Sequence, residues 1–151
     1  MKGVTIRRLE RGDDPRAAVA LLTRFFAEED FPTPPGLIAE RTAAMLDIGV
    51  CGLFIAMEDE VAVGVATVSL DFGIEFGWSA EMGDLYVLPD WRGRGIANRL
   101  TGAIEAFLRD RGVAEYRVTV TPFGQESHDL KGYYAKLGFA GEGRLILTKV
   151  L

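Results

Sequence analysis

The sequence has one cysteine, Cys51, and one histidine, His128. A single thiol excludes an internal disulfide. Together the two residues are too few for a multi-cysteine zinc site or most other metal-ligand sets, so no metal is expected. Long hydrophobic runs are missing as well. The longest uncharged stretches, Ile48–Met57 and Val61–Leu70, fall well short of the roughly 20 apolar residues a membrane helix needs. The opening residues, MKGVTIRRLERGDD, hold no apolar h-region and no small-residue cleavage site. These absences predict a cytoplasmic protein with no membrane partner. Positive charge is in deficit: 17 Lys/Arg against 22 Asp/Glu leave a net charge of −5. Generic nucleic-acid binding rests on basic surface, so no nucleic-acid partner is expected.

What remains is ample for a core. The 151 residues are 48% hydrophobic and 26% charged, which suits one domain of ordinary size. No repeat, low-complexity run or long linker interrupts them, so residues 1–151 are expected to form a single domain. The charge is unevenly spread. Residues 1–90 hold 7 Lys/Arg and 16 Asp/Glu, whereas residues 91–151 hold 10 and 6. Either one part faces a cation and the other an anion, or the split is a chance mixture of surface charge.

Periodicity supplies the elements. Val4–Leu9 reads as a strand. Asp13-Asp14-Pro15 opens a helix carrying Ala18, Leu21, Leu22, Phe25 and Phe26 on one side. The proline-rich break after Phe31 leads to a second helix, from Leu37 to about Asp47. Gly52–Met57 and Val61–Phe72 form a hairpin around Glu58-Asp59-Glu60. Gly73–Trp78 reads as a loop and Ala80–Leu88 as the next strand. A helix follows Gly95, with Ile96, Leu100, Ile104, Phe107 and Leu108 in one stripe. Tyr116–Thr121 is a strand, Glu126 to Leu137 a helix, and Phe139–Ala140 and Arg144–Val150 terminal strands. The expected order is β-α-α-β-β-β-α-β-α-β-β, an α/β chain with a mostly antiparallel sheet and one parallel βαβ unit.

The segment Arg92-Gly93-Arg94-Gly95-Ile96-Ala97 lies between a strand and a helix. A helix N-terminus offers free N–H groups and the positive end of the dipole. Glycines let an anion approach the backbone, and the arginines add charge. A phosphate or pyrophosphate ligand is one reading; an ordinary turn with solvated arginines is the other. A Walker loop is excluded, because Gly-Lys-Ser/Thr is absent. A Rossmann fingerprint fails because Asn98 stands where its third glycine belongs.

The run Leu85-Tyr86-Val87-Leu88-Pro89-Asp90-Trp91-Arg92-Gly93-Arg94-Gly95-Ile96-Ala97 resembles the acetyl-CoA motif of the GNAT superfamily of N-acetyltransferases. Arg92, Gly95 and Ala97 match the fixed positions of its Gln/Arg-x-x-Gly-x-Gly/Ala pattern. Downstream, Tyr133-Tyr134-Ala135-Lys136-Leu137-Gly138-Phe139 resembles the family's LYEKLGF segment. The resemblance covers nearly the whole chain, though residues 7–47 match only in pattern. It implies acetyl-CoA as co-substrate, with backbone amides from Gly93 through Arg94, Gly95 and Ile96 to Ala97 on the pyrophosphate. One departure is plain. Where the family often has Asn and then Ala three residues on, this chain has Ser127 and Leu130. Ser127 can cap the helix or donate to the cofactor.

Acetyl transfer from a thioester to an amine needs a proton acceptor, a stabiliser for the carbonyl oxygen and a partner for the departing thiolate. Two carboxylates, Glu81 and Asp84, precede the glycine turn. Their odd spacing sends them to opposite faces of a regular strand. The resemblance points to Glu81 as general base, with a solvated strand residue as the alternative; Asp84 is the runner-up base, or else a contact for a cationic acceptor or a partner for a nearby arginine. It also assigns the Val87 N–H to the carbonyl oxygen, with Leu85 and Val87 amides on pantetheine where neighbouring strands splay. Tyr134 is implied as the general acid, and its phenol is protonated at neutral pH. By spacing alone, Tyr134 also suits core packing. His128 and Cys51 read as an unspecialised loop histidine and a packing thiol.

Acceptor contacts are expected from the first helices and the Gly73–Trp78 loop, with Phe31, Glu75, Trp78, Glu81 and Asp84 as candidates. Acidic and aromatic groups suit an ammonium-bearing small molecule. The expected activity is acetyl transfer by direct attack on a small cationic amine, without an acyl-enzyme. A protein or peptide acetyltransferase and a non-catalytic CoA-binding module are the alternatives. A homodimer is compatible with this reading.

Overall fold

The computed structural model describes residues 3–151. In chain order its elements are β1 (Thr5–Leu9), α1 (Arg16–Glu28), α2 (Pro35–Met45), β2 (Cys51–Glu58), β3 (Val61–Gly73), β4 (Gly77–Val87), α3 (Ile96–Asp110), β5 (Tyr116–Val118), α4 (Pro122–His128) and α5 (Leu130–Lys136). They divide into two compact units, one running to Thr119 and the other spanning Val120–Leu151.

In the first unit the strands lie in sequence order, β1-β2-β3-β4-β5. The first four pair antiparallel; β4 and β5 are parallel, joined through α3. A parallel pair requires such a crossover. Local chemistry sets the helix starts. The Asp14 carboxylate accepts the Arg16 N–H at 3.0 Å, and Pro35 occupies the first turn of α2. On one face of the sheet, α1 and α2 close over Leu9, Leu53, Ile55, Val65 and Tyr86, burying Leu21, Leu22 and Ile38 among them. The opposite face receives α3. Phe107 meets Phe54 edge to face at 5.5 Å, and a Cβ at Gly64 would stand 3.1 Å from Leu100. Gly64 therefore admits α3 at close range.

Three expectations are corrected. The first concerns the faces of β4. Thr67 pairs with Asp84 and Val68 with Met82, so Gly83 is an extra residue in the ladder. Glu81 pairs with Ser69, two residues from Thr67. Directly paired residues point the same way, so Glu81 and Asp84 share one face. The bulge cancels the alternation that separated them.

The second concerns the strand-helix stretch after α3. β5 ends at Val118, not Thr121, and the single helix expected from Glu126 is two. Thr121 caps α4 by accepting the Gly124 N–H at 3.0 Å. Asp129 adopts φ 46°, breaks the helix and caps α5. Gln125 braces the break: its amide nitrogen donates to Asp129 at 2.9 Å and its oxygen accepts the Lys131 N–H at 2.8 Å. The third concerns the end of the chain. Phe139–Ala140 and Arg144–Val150 are not strands. The consecutive apolar residues Leu145, Ile146 and Leu147 are exposed, and no ladder partner among the described residues gives them strand pairing.

Smaller shifts follow the same logic. Trp78 lies on β4, because the hairpin turn is confined to residues 74–76. No helix of the described residues is long and apolar enough to cross a membrane.

Candidate active site

β4 carries the site. β5 pairs only with Ala80, Glu81 and Met82, leaving that edge of β4 without a strand partner among the described residues from Gly83 to Val87. On the other edge, the Leu88 N–H donates to Val63 at 2.9 Å. Amides alternate along a strand, so those of Leu85 and Val87 face the open edge. Pairing thus ends before the residues whose amides the resemblance assigns to the cofactor.

The open edge runs into the glycine turn. Gly93 and Gly95 hold φ of 77° and 78°, and a Cβ at either position would meet nothing within 4 Å. Gly95 is the N-cap of α3, where no side chain caps the helix. Buried Ile96 anchors the first turn, so its amide and that of Ala97 stay at the helix start. The residues present therefore fit a diphosphate: uncapped N–H groups, open space in front of two glycines, and the positive end of a 15-residue helix. The two arginines differ. The Arg94 guanidinium stacks 4.6 Å from the Trp91 ring and donates to the Asp90 carbonyl. Arg92 turns back into the fold. Its Nε donates to the Val87 carbonyl at 2.9 Å, and its guanidinium lies 3.4 Å from Glu28, which also accepts the Tyr86 hydroxyl at 2.9 Å. Arg92 thereby ties the turn to β4 and α1.

The two carboxylates on the shared face have different surroundings. Glu81 is ion-paired with Arg117 of β5 at 3.2 Å, and Arg117 also lies 3.5 Å from Asp71. Asp84 lines a cavity of about 180 Å³ beneath α1 and α2. Leu22, Phe26, Ile38 and Met45 form its apolar wall, Thr67 sits beside Asp84, and Thr33, Arg41 and Thr42 complete the lining. Burial pushes the Asp84 carboxyl up, while the Thr67 hydroxyl, donating at 2.5 Å, pulls it partly back.

The remaining candidates lie on other elements. Phe31 stacks on Phe25 and Phe26, next to the cavity wall. Trp78 packs against Phe72 and Glu75 lies in the turn at the β3–β4 tip. Trp78 and Asp84 are six residues apart on one strand, about 20 Å at the usual rise. In the second unit, Ser127 is exposed near the end of α4. Tyr134 is on α5 between the rings of Tyr133 and Phe139. Burial, with a smaller contribution from Tyr133, pushes its hydroxyl up to about 12. Sequence reasoning missed Thr67, Arg41 and Arg117. Thr67 was hidden in a β-branched run that signals only a strand, and no spacing marks the other two.

The sequence profile of the acetyltransferase (GNAT) family matches residues 17–139. A rice protein named probable glucosamine 6-phosphate N-acetyltransferase 2 is 28% identical over 150 aligned positions, covering 93% of this chain and 84% of its own. An aminoglycoside N(6')-acetyltransferase type 1 of Salmonella typhimurium is 30% identical over 87 positions, covering 53% of this chain and 60% of its own. Among solved structures, an aminoglycoside N-acetyltransferase in complex with CoA superposes with a TM-score of 0.83 at 23% identity, covering 99% of this chain and 96% of its own. That likeness is one of fold.

Proposed function

The chain belongs to the acetyltransferase (GNAT) family, and from that premise we propose that it moves the acetyl group of acetyl-CoA to a primary amine of a small cationic molecule. The observation that carries this reading is the unpaired edge of β4, with its Leu85 and Val87 amides leading into the open Gly93–Gly95 turn. Acetyl-CoA bound there supplies the thioester. The amides from Gly93 to Ala97 hold its diphosphate, and Leu85 holds pantetheine. The Val87 N–H takes the charge that develops on the carbonyl oxygen.

Asp84 is the proton acceptor in this reading. It lies on the same face as Glu81, but its place in a cavity, where burial pushes the carboxyl up, suits a proton acceptor. Glu81 is held in its ion pair with Arg117 and takes no part in the proton transfer. The ammonium gives one proton to Asp84 and becomes a nucleophilic amine; its nitrogen bonds to the acetyl carbon, and its second proton leaves to solvent as the tetrahedral intermediate collapses. The carbon–sulfur bond breaks and CoA leaves as the thiolate; the resemblance implies the Tyr134 hydroxyl as the donor of its proton. A phenol pushed up to about 12 keeps that proton across the working range. The named substrates of the rice and Salmonella relatives are small molecules with amines, which supports this acceptor class.

The test is thiol release from acetyl-CoA in the wild type and in Gly95→Val. A valine at φ 78° is strained, and its side chain fills the space in front of the helix amides. The KM for acetyl-CoA is expected to rise steeply while the far-UV spectrum stays unchanged. An unaltered KM in the folded variant would refute this cofactor placement.

A further inference from the structure

The cavity beside Asp84 narrows the acceptor further than the family does. Leu22, Phe26, Ile38 and Met45 form its apolar wall; of the threonines beside them, Thr42 already donates to the Ile38 carbonyl and Thr67 to Asp84, and Thr33 lies with them. Its space of about 180 Å³ lies below the roughly 300–1,000 Å³ of sites that enclose drug-sized ligands. A polyhydroxylated sugar placed there would lose water from each hydroxyl and find few partners. An apolar body loses little and gains contact with the wall. Charge adds a second restriction. One carboxylate, Asp84, and one cation, Arg41, belong to the same lining. Arg41 is exposed and has no carboxylate partner among the described residues. One ammonium group is therefore matched at Asp84, and a second one would meet the Arg41 charge.

We infer that the acceptor is a compact monoamine with an apolar body, an arylalkylamine or branched alkylamine, seated among Leu22, Phe26, Ile38 and Met45 with its nitrogen at Asp84. This rests on the proposed acetyl transfer for its chemistry but not for its binding. It sets the chain apart from enzymes that take polycationic or phosphorylated amino sugars.

The test uses the full chain and four probes: phenethylamine, 4-(aminomethyl)benzylamine, the aminoglycoside kanamycin and glucosamine 6-phosphate. Calorimetry measures binding without donor, and thiol release measures turnover. Phenethylamine should bind and should give the highest kcat/KM of the four. Met45→Trp, which fills the apolar end at a half-buried position, should weaken phenethylamine binding strongly and leave the KM for acetyl-CoA unchanged. Arg41→Glu, at an exposed position, should improve the diamine relative to phenethylamine by about five- to tenfold, the order expected for reversing one charge at several ångströms near a protein surface. Stronger binding of kanamycin or glucosamine 6-phosphate than of phenethylamine would overturn the inference. So would phenethylamine binding that Met45→Trp does not change, or a diamine ratio that Arg41→Glu does not move. Phenethylamine binding lost in Met45→Trp, with no thiol release from any probe, would defeat the transfer reading and leave the ligand class standing.

Discussion

Glu81 and Asp84 are three residues apart, on one strand and one face, yet they occupy different chemical settings. Around Glu81 the sheet is complete on both sides of β4, and Arg117 comes across from β5 to neutralise it. Around Asp84 the ladder has slipped by one residue, β5 has ended, and α1 and α2 roof the carboxylate. The extra residue, Gly83, causes both differences. It turns Asp84 onto the helix-covered face, and it lies where pairing with β5 stops. A Cβ at Gly83 would come within 3.2 Å of the Thr67 hydroxyl oxygen, the group that donates to Asp84. The same carboxyl chemistry is a surface ion pair at one position and a desolvated carboxyl at the other.

The sharpest way to break this comparison is to neutralise each acid in turn. Asp84→Asn should lower kcat/KM for an accepted amine by about 10²–10⁴-fold, the usual worth of a positioned general base. It should also remove the rise of rate with pH. Glu81→Gln should stay within about fivefold of wild type, because a partly exposed ion pair is worth about 0–1 kcal/mol. Its acetyl-CoA affinity should be unchanged. A pH–rate profile of both variants on one amine decides the matter. The reverse ranking would return the base to Glu81, the residue that the family resemblance favours.

A finer probe keeps both acids and changes only the neighbour. Thr67 is buried, and its hydroxyl holds the Asp84 carboxyl below where desolvation alone would put it. Thr67→Val removes that hydrogen bond while keeping the side chain's shape. Asp84 should then keep its proton to higher pH, and the acidic limb of the rate profile should move alkaline by up to about one pH unit, or 1.36 kcal/mol. The limb should not move if Glu81 is the base, since Glu81 pairs with Ser69 and Arg117 rather than Thr67.

The sequence was informative where the physics is local. The glycine turn needs two left-handed positions and an uncapped helix start, and Gly93 and Gly95 announce both. The hairpin around Asp59-Glu60, the stripe of α3 and the prolines before α2 are legible for the same reason. What depends on a partner was not. The bulge at Gly83 is a disagreement between two strands, and neither strand declares it alone. The Asp129 break depends on Gln125 reaching both sides of it. The terminal run Leu145-Ile146-Leu147 has strand-like residues but no ladder, and composition cannot supply the neighbour. The cavity joins two helices to the sheet, so Arg41 and Thr67 became site residues only once those elements had met.

The smallest effect is on stability, and it separates the two acids without any substrate. Burial raises the folded-state pKa of Asp84 above that of an unfolded aspartate, about 3.9. A group raised in this way contributes its full stability below the unfolded value, where both states are protonated. That contribution is lost as pH climbs through the folded value, because the unfolded chain ionises freely and the folded one resists. Asp84→Asn removes the charge but keeps an oxygen to accept from Thr67. Its melting temperature should therefore match wild type near pH 3.5 and exceed it at pH 8, by about 2–4 °C for each kcal/mol of strain relieved in a chain of this length. Glu81→Gln loses an ion pair instead, so at pH 8 its melting temperature should be equal to or slightly below that of wild type. Thermal melts of the three proteins at the two pH values give the comparison. An Asp84→Asn protein that gains nothing at pH 8 would mean that the carboxylate is not strained by its roof, and the physical distinction between the two acids would fall with it.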